Sequence, residues 1–214
     1  MNFFGHAAVA GRFDERPGFL LGAMLPDFCG MLRLRPPAVA CPNVGAGVRF
    51  HHLTDAVFHD LSLFRSWCQK ARVHLEARGV ARGTARAVAH VGLELLLDAA
   101  LAEAEAARSA YLNGLDAGRD PRILDGMAWP DEPRAKLSEL AGLLSARGVG
   151  AKVPAIVVAD RLSRALAARP RLAIRASDRP AVDEWVEVFG EHVVAFTPAL
   201  LAELVGELER QRTT

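Results

Sequence analysis

The chain has 214 residues, of which 51% are hydrophobic and 24% are charged, and its formal net charge is +1. This length and composition are typical of a soluble globular protein with its own hydrophobic core, and they exclude disordered and collagen-like chains. The near-neutral charge argues against a dedicated nucleic-acid-binding protein, which normally carries a surplus of basic residues on one face.

Cysteine content and hydropathy predict a cellular location. The three cysteines lack the paired spacing of a zinc finger, which indicates a reduced protein. The N-terminus lacks the basic segment of a signal peptide, and no unbroken apolar run reaches the roughly 18 residues of a membrane span. We therefore predict a cytoplasmic protein without a membrane segment, folded as a single helical domain over residues 1–214.

The hydrophobic pattern predicts helices joined by loops. Residues 2–10 fit either a short helix or an extended segment, and Pro26 is expected to end the next helix and to begin a proline-rich loop. The predicted helices are Gly18–Leu25, Val48–Arg78, Thr84–Leu112, Arg134–Ala146, Pro154–Ala168, a helix that follows Ser177-Asp178, and a last helix that restarts at Thr197-Pro198. Residues 113–133 are predicted to form a loop, with room for one turn at Pro121–Met127. No stretch alternates as a half-buried strand should, so the pattern predicts an all-α fold.

The segment from Arg49 to Asp60 holds five imidazoles and carboxylates within ten residues. Residues three and four apart share a helix face, so His51, Asp55 and His59 form one line. Imidazole nitrogen and carboxylate oxygen are the ligands that suit Zn²⁺, Mn²⁺ and Fe²⁺, and this helix is therefore a candidate wall of a metal site. The alternative is a solvated face that holds several histidines.

Further candidate ligands lie outside this segment. His6 is the polar group of an apolar N-terminal segment, where a hydrogen-bonded histidine is the alternative. Asp27 follows Pro26 and could instead cap the next turn. His90, Glu94 and Asp98 repeat at four-residue intervals along one predicted helix, and this stripe could also be a polar seam that faces solvent.

Several short segments resemble motifs of one family in the same order. They are Met1-Asn2-Phe3-Phe4-Gly5-His6, similar to MNFLAH; Gly22-Ala23-Met24-Leu25-Pro26-Asp27-Phe28, similar to G-N-L-L-A-D-F; His51-His52-Leu53-Thr54-Asp55, which matches H-x-x-x-D; residues 166–172, similar to S-R-R-P-R-L; and Phe196-Thr197-Pro198, similar to F-Y-P. On these segments the chain resembles the acyl carrier protein phosphodiesterase family, a variant of the HD-domain metal phosphohydrolases. The resemblance implies an HD-domain-like helical bundle.

The resemblance also implies an activity and a site. The reaction would be hydrolysis of the phosphodiester between 4′-phosphopantetheine and a serine of holo acyl carrier protein, with Mn²⁺ as cofactor, or else Mg²⁺, Fe²⁺ or Zn²⁺. The implied metal ligands are His6, Asp27, His51 and Asp55. His90 or Glu94 would close the site or act as acid and base.

The acidic surface of acyl carrier protein would require a basic rim. Arg33, Arg35, Arg49 and Arg65 could form that rim, and ordinary solvated arginines are the alternative. The chain departs from the family where Glu94-Leu95 replaces an adjacent Asp-His pair. Two function classes therefore stay open: a phosphodiesterase acting on holo acyl carrier protein or another phosphoester, and a catalytically silent helical scaffold that binds a protein partner.

Overall fold

The computed structural model describes residues 1–213, and for Thr213 only the backbone. The helices in chain order are α1 (Phe3–Ala10), α2 (Pro17–Leu32), α3 (Pro42–Asp60), α4 (Ser62–Ala77), α5 (Arg82–Leu101), α6 (Glu105–Ala117), α7 (Pro121–Leu124), α8 (Asp131–Arg147), α9 (Ala155–Ala167) and α10 (Arg179–Thr213). Extended pairing within residues 1–213 is confined to one isolated antiparallel bridge, Val39 with Met127. The all-α prediction is confirmed, whereas the HD-domain-like arrangement stays a prediction.

The described chain divides into two compact units, and α3 contributes to both. The first unit comprises residues 1–56 and 102–151, and the second comprises residues 57–101 and 152–213. A single domain over residues 1–214 stays a prediction.

In the first unit, helices α1, α2, α6 and α8 pack on one another around an apolar core. The start of α3 lies against α2 at a pair of glycines. A Cβ atom added to Gly47 would lie 2.1 Å from the carbonyl oxygen of Phe19, and one added to Gly22 would lie 2.2 Å from that of Val44. Since no side chain fits there, the two glycines allow the backbones to touch, and this close crossing positions the middle of α3 beside α2.

In the second unit, α5 packs against α4, α9 and α10. Trp185 of α10 is fully buried and packs directly against Gly92 of α5. A Cβ atom added to Gly92 would lie only 2.6 Å from the nearest carbon of the Trp185 ring. By length and composition α10 could also cross a membrane, and 33% of the residues in its apolar window are buried. Because core helices of soluble proteins pass the same test, the absence of a membrane span stays a prediction.

Two prolines that were expected to end helices lie inside them. α2 continues through Pro26 to Leu32, and α10 continues through Pro198 to its end. A proline inside a helix costs about 3 kcal/mol, which burial of a long apolar face can offset. The prediction that the loop begins after Pro26 was therefore wrong, because the loop begins after Leu32 and Asp27 is a helical residue. The predicted restart at Thr197-Pro198 was also wrong.

Two segments that were each predicted as one long helix are broken. The chain leaves the helix at Leu61, whose ψ of 130° is extended, so that α3 ends at Asp60 and α4 begins at Ser62. α5 ends at Leu101, and the carbonyl groups of Ala102 and Glu103 accept hydrogen bonds from the guanidinium of Arg108. Neither break contains glycine or proline, which is why periodicity alone missed both.

Three other predicted features are confirmed. α9 covers the predicted helix within one residue at each end, and the predicted single turn in the loop is α7. Gly79, which was expected to stop the histidine-rich helix, follows α4 with a φ of +85°. This left-handed conformation favours glycine and ends the helix.

Candidate functional site

Three helices of the first unit bring His6, Asp27 and His51 together; we call these residues the first cluster. Their candidate ligand atoms all lie within 4.8 Å of one another. His6 of α1 is fully buried, His51 of α3 is 6% exposed, and Asp27 of α2 is partly buried. The fold therefore joins side chains that lie up to 45 positions apart in the chain.

The protonation state of His51 follows from its surroundings. Its Nδ1 lies 2.8 Å from the carbonyl oxygen of Ala23, and because that oxygen can only accept, Nδ1 donates. Burial and the neighbouring His6 lower the pKa of His51 to about 3. The ring is consequently neutral at neutral pH, and its Nε2 carries a lone pair, as a metal ligand requires.

Asp55 lies beside the first cluster. The imidazole rings of His6 and His51 stack with centroids 3.9 Å apart, and Nε2 of His6 lies 3.8 Å from Oδ1 of Asp55. The same carboxylate oxygen lies 3.4 Å from the α-amino group of Met1, and the Asp55 side chain is 41% exposed. The partly exposed Asp55 therefore contacts His6 of the first cluster. The role of Asp55 as a metal ligand stays a prediction.

The first cluster fits a divalent transition-metal ion. Ligand atoms about 2.0–2.2 Å from an ion lie roughly 3–4 Å from one another, which is inside the 4.8 Å limit that holds for this set. Two imidazole nitrogens and a carboxylate oxygen suit Zn²⁺, Mn²⁺ or Fe²⁺. The hydrogen bond from His51 to Ala23 orients the ring, as metal-bound histidines require.

His90 and Glu94 meet His59, and these three residues form the second cluster, in the second unit. Their candidate ligand atoms also lie within 4.8 Å of one another. Nε2 of His59 lies 3.1 Å and Nε2 of His90 lies 3.3 Å from the same oxygen of Glu94. The two rings stack nearly in parallel, with centroids 5.0 Å apart.

Glu94 is ionised although it is buried. Burial opposes its charge, but the hydrogen bonds from His59 and His90 outweigh that effect and hold the pKa of Glu94 well below its usual range. As an ionised carboxylate can only accept, the Nε2 atom of His59 donates to it. Burial and the charge of Glu94 also raise the pKa of the nearby Cys68 to about 12, which keeps this thiol neutral and unreactive.

The second cluster opens into a cavity of about 540 Å³. Its lining residues are His59, Phe64, Arg65, Cys68, Gln69, Arg72, Arg82, Arg86 and His90, and we call this cavity the arginine pocket. The four arginines were not singled out as a group from the sequence. A usable signal was present, because Arg82 and Arg86 continue the four-residue spacing of His90 and Glu94.

The predicted rim of arginines is exposed. Arg33 follows α2 with a left-handed φ of 55°, Arg35 lies in the next loop, and Arg49 lies on α3. Arg49 precedes His51 by two positions, and residues two apart on a helix do not share a face. Binding of a substrate by these three arginines stays a prediction.

Comparison of the chain with protein-family models, with curated proteins and with solved structures found no match.

Proposed function

We propose that the protein is a metal-dependent phosphodiester hydrolase whose ion is held by the first cluster. The observation that carries this proposal is the convergence of His6, Asp27 and His51, where burial keeps His51 neutral and its hydrogen bond to the carbonyl group of Ala23 orients the ring. Two buried imidazoles beside a carboxylate have little purpose as packing, because each polar group costs free energy to bury.

A divalent ion bound at this cluster would supply a Lewis acid that polarises a phosphoryl oxygen and activates water. The chain's own residues perform the other tasks. The carbonyl group of Ala23 holds His51 in one tautomer, and the burial of His6 excludes competing solvent from its side of the cluster. Asp55 is exposed at 41% and can accept a proton from a reactant on the solvent side.

The proposed substrate is holo acyl carrier protein, from which hydrolysis would release 4′-phosphopantetheine. Its support is the resemblance of five short segments, together with the exposure of Arg33, Arg35 and Arg49, which leaves them available to an acidic partner.

Metal content gives the first test. We expect the protein purified without chelator to contain a stoichiometric divalent ion, and His51→Ala and Asp27→Asn to lose it. Elemental analysis by mass spectrometry measures both. His192→Ala, an exposed histidine of α10, is the control and should keep the ion. An ion content that is unchanged in both cluster variants would contradict the assignment.

Turnover gives the second test. Incubation with holo acyl carrier protein and Mn²⁺ should release 4′-phosphopantetheine, detected by mass spectrometry, and Asp27→Asn should abolish the release. Hydrolysis of bis(p-nitrophenyl) phosphate without any release from acyl carrier protein would indicate another phosphoester as substrate. A metal-loaded protein that hydrolyses neither would favour the catalytically silent scaffold.

A further inference from the structure

We propose that the arginine pocket of the second unit binds a small organic molecule through its phosphate group, independently of the first cluster. The pocket is formed by one face of α4, which carries Arg65, Cys68, Gln69 and Arg72, and one face of α5, which carries Arg82, Arg86 and His90. These residues recur at three- and four-residue spacing on both helices, so they share one face of each.

Carboxylates balance only part of the positive charge of this pocket. Within residues 1–213, neither Arg82 nor Arg86 has a carboxylate within 4.0 Å. Arg65 lies 3.4 Å from Asp60, a long and exposed contact. Arg72 is the exception, because Glu76 accepts hydrogen bonds from it at 2.6 and 2.7 Å.

The positions of Arg82 and Arg86 are unfavourable for an isolated helix. Like charges one turn apart repel each other, and α5 begins at Arg82, where the helix dipole is already positive. The first turn of α5 contains no acidic residue that would balance this charge. An anion bound between these guanidinium groups would relieve the repulsion, and guanidinium groups match phosphate oxygens in pairs.

The second cluster forms the floor of the pocket, and its side chains are held in place by their contacts with one another. Glu94 is ionised and buried beneath the two imidazoles, and it holds Nε2 of His59 and of His90. Glu94 is only 10% exposed, so the two imidazole rings, and not this carboxylate, line the cavity.

The size and apolar wall of the pocket indicate an organic ligand. A volume of about 540 Å³ is far larger than a phosphate ion and is in the range of small-molecule sites. Phe64 is 4% exposed and lines the cavity next to the neutral thiol of Cys68. The ligand class is therefore a phosphomonoester whose organic part contacts Phe64.

Calorimetric titration of the full-length protein in excess EDTA tests this proposal without the ion of the first cluster. The probes are phenyl phosphate, inorganic phosphate and phenol. We expect phenyl phosphate to bind more tightly than inorganic phosphate, and phenol not to bind. Arg82→Glu and Arg86→Glu should each weaken phenyl phosphate binding at least about tenfold.

A charge-matched control separates the pocket from the net charge. Arg164→Glu changes an exposed arginine of α9 in the same unit and should leave binding within about twofold of wild type. Without ligand, Arg82→Glu should melt no lower than wild type, because it removes a repulsion and adds an acid at a helix N-terminus. Lost binding in a variant that melts normally therefore reports on the pocket and not on folding.

Four results would overturn the proposal: unchanged binding by Arg82→Glu and Arg86→Glu, an equal loss in Arg164→Glu, equal affinity for inorganic phosphate and phenyl phosphate, or binding of an RNA oligonucleotide with no binding of phenyl phosphate. The titration in EDTA does not involve the ion of the first cluster, whereas metal content and turnover of acyl carrier protein do. A negative result in one set of experiments therefore leaves the other proposal standing.

Discussion

The first cluster and the second cluster contain the same residue types, two histidines and one acid each, but their surroundings differ. In the first cluster, His51 donates to a backbone carbonyl and stays neutral, and the carboxylate of Asp55 lies near the α-amino group of Met1. In the second cluster, the carboxylate of Glu94 binds both histidines, and arginines line the cavity beyond them.

This difference indicates that the first cluster prefers a cation and that the surroundings of the second cluster prefer an anion. The Nε2 atom of His51 carries a lone pair beside a carboxylate and can bind a cation, whereas the Nε2 atoms of His59 and His90 carry the protons that they donate to Glu94 and have no lone pair beside it. The surrounding arginines then favour an anion. Both clusters contain two histidines. They differ in the group that accepts the hydrogen bond, which is a backbone carbonyl for His51 and the carboxylate of Glu94 for His59 and His90.

The largest expected effect comes from the glycine contact that positions the first cluster. Gly47→Ala would place a Cβ 2.1 Å from the carbonyl oxygen of Phe19, so α2 and α3 must separate. We expect the free energy of unfolding to fall by about 3 kcal/mol or more, measured by urea denaturation. Gly45→Ala is the matched control on the same helix, since its nearest neighbour is the flexible end of Arg49 at 3.6 Å, and it should be neutral or slightly stabilising. Equal losses in both variants would contradict the role of the contact.

Metal removal tests whether the cation prefers the first cluster. Mn²⁺ at about 100 times its dissociation constant should stabilise the protein by about 2.7 kcal/mol, which corresponds to roughly 5–10 °C in a thermal melt. EDTA should reverse the shift, and Asp27→Asn should abolish it. His90→Ala should retain the shift, because it changes only the second cluster. If His90→Ala abolishes the shift while Asp27→Asn keeps it, the ion belongs to the second cluster.

The buried charge of Glu94 should make the free energy of unfolding depend on pH. At pH 7, Glu94→Gln should lower the free energy of unfolding by about 1–3 kcal/mol, because the two histidines lose a charged acceptor. The folded pKa of Glu94 lies below its usual value of 4.5, so this stabilisation is fully present above pH 4.5 and is lost as the pH falls through the folded value. Urea denaturation should therefore give a smaller difference between wild type and variant at pH 3 than at pH 7. A difference that stays constant over this range would show that the pKa of Glu94 is the same in the folded and the unfolded states.

Local patterns predicted much of the helical structure but not its interruptions. Apolar periodicity located α9 within a residue at each end, because one face of this helix carries the buried residues Val158, Leu162 and Leu166. Pro26 and Pro198 misled the prediction, since their local cost is outweighed by packing that no short window contains. The break at Leu61 has no local signal either, and Phe58 and Phe64 pack across it with ring centroids 4.3 Å apart.

The candidate site was partly predictable. His6, Asp27 and His51 were grouped through the family resemblance, and the structure brings them together. The sequence did not reveal that Asp55 contacts the Met1 amine, or that His59 pairs with Glu94, because both contacts join residues at least 35 positions apart. Helical spacing correctly aligned residues on α3, but it could not say which partner each residue meets across the helix interface.

The smallest expected effect concerns His52, which adjoins His51 in the sequence and is exposed. Its ring meets that of His51 edge to face, with centroids 5.3 Å apart, but it does not belong to the first cluster. His52→Ala should change the free energy of unfolding by no more than about 0.5 kcal/mol, as is usual for exposed side chains, and should leave Mn²⁺ affinity within about twofold. Denaturation and metal titration measure the two quantities. A tenfold loss of affinity would mean that the ion recruits His52 from the flank of α3, so that the histidine-rich segment acts as a whole and not through His51 alone.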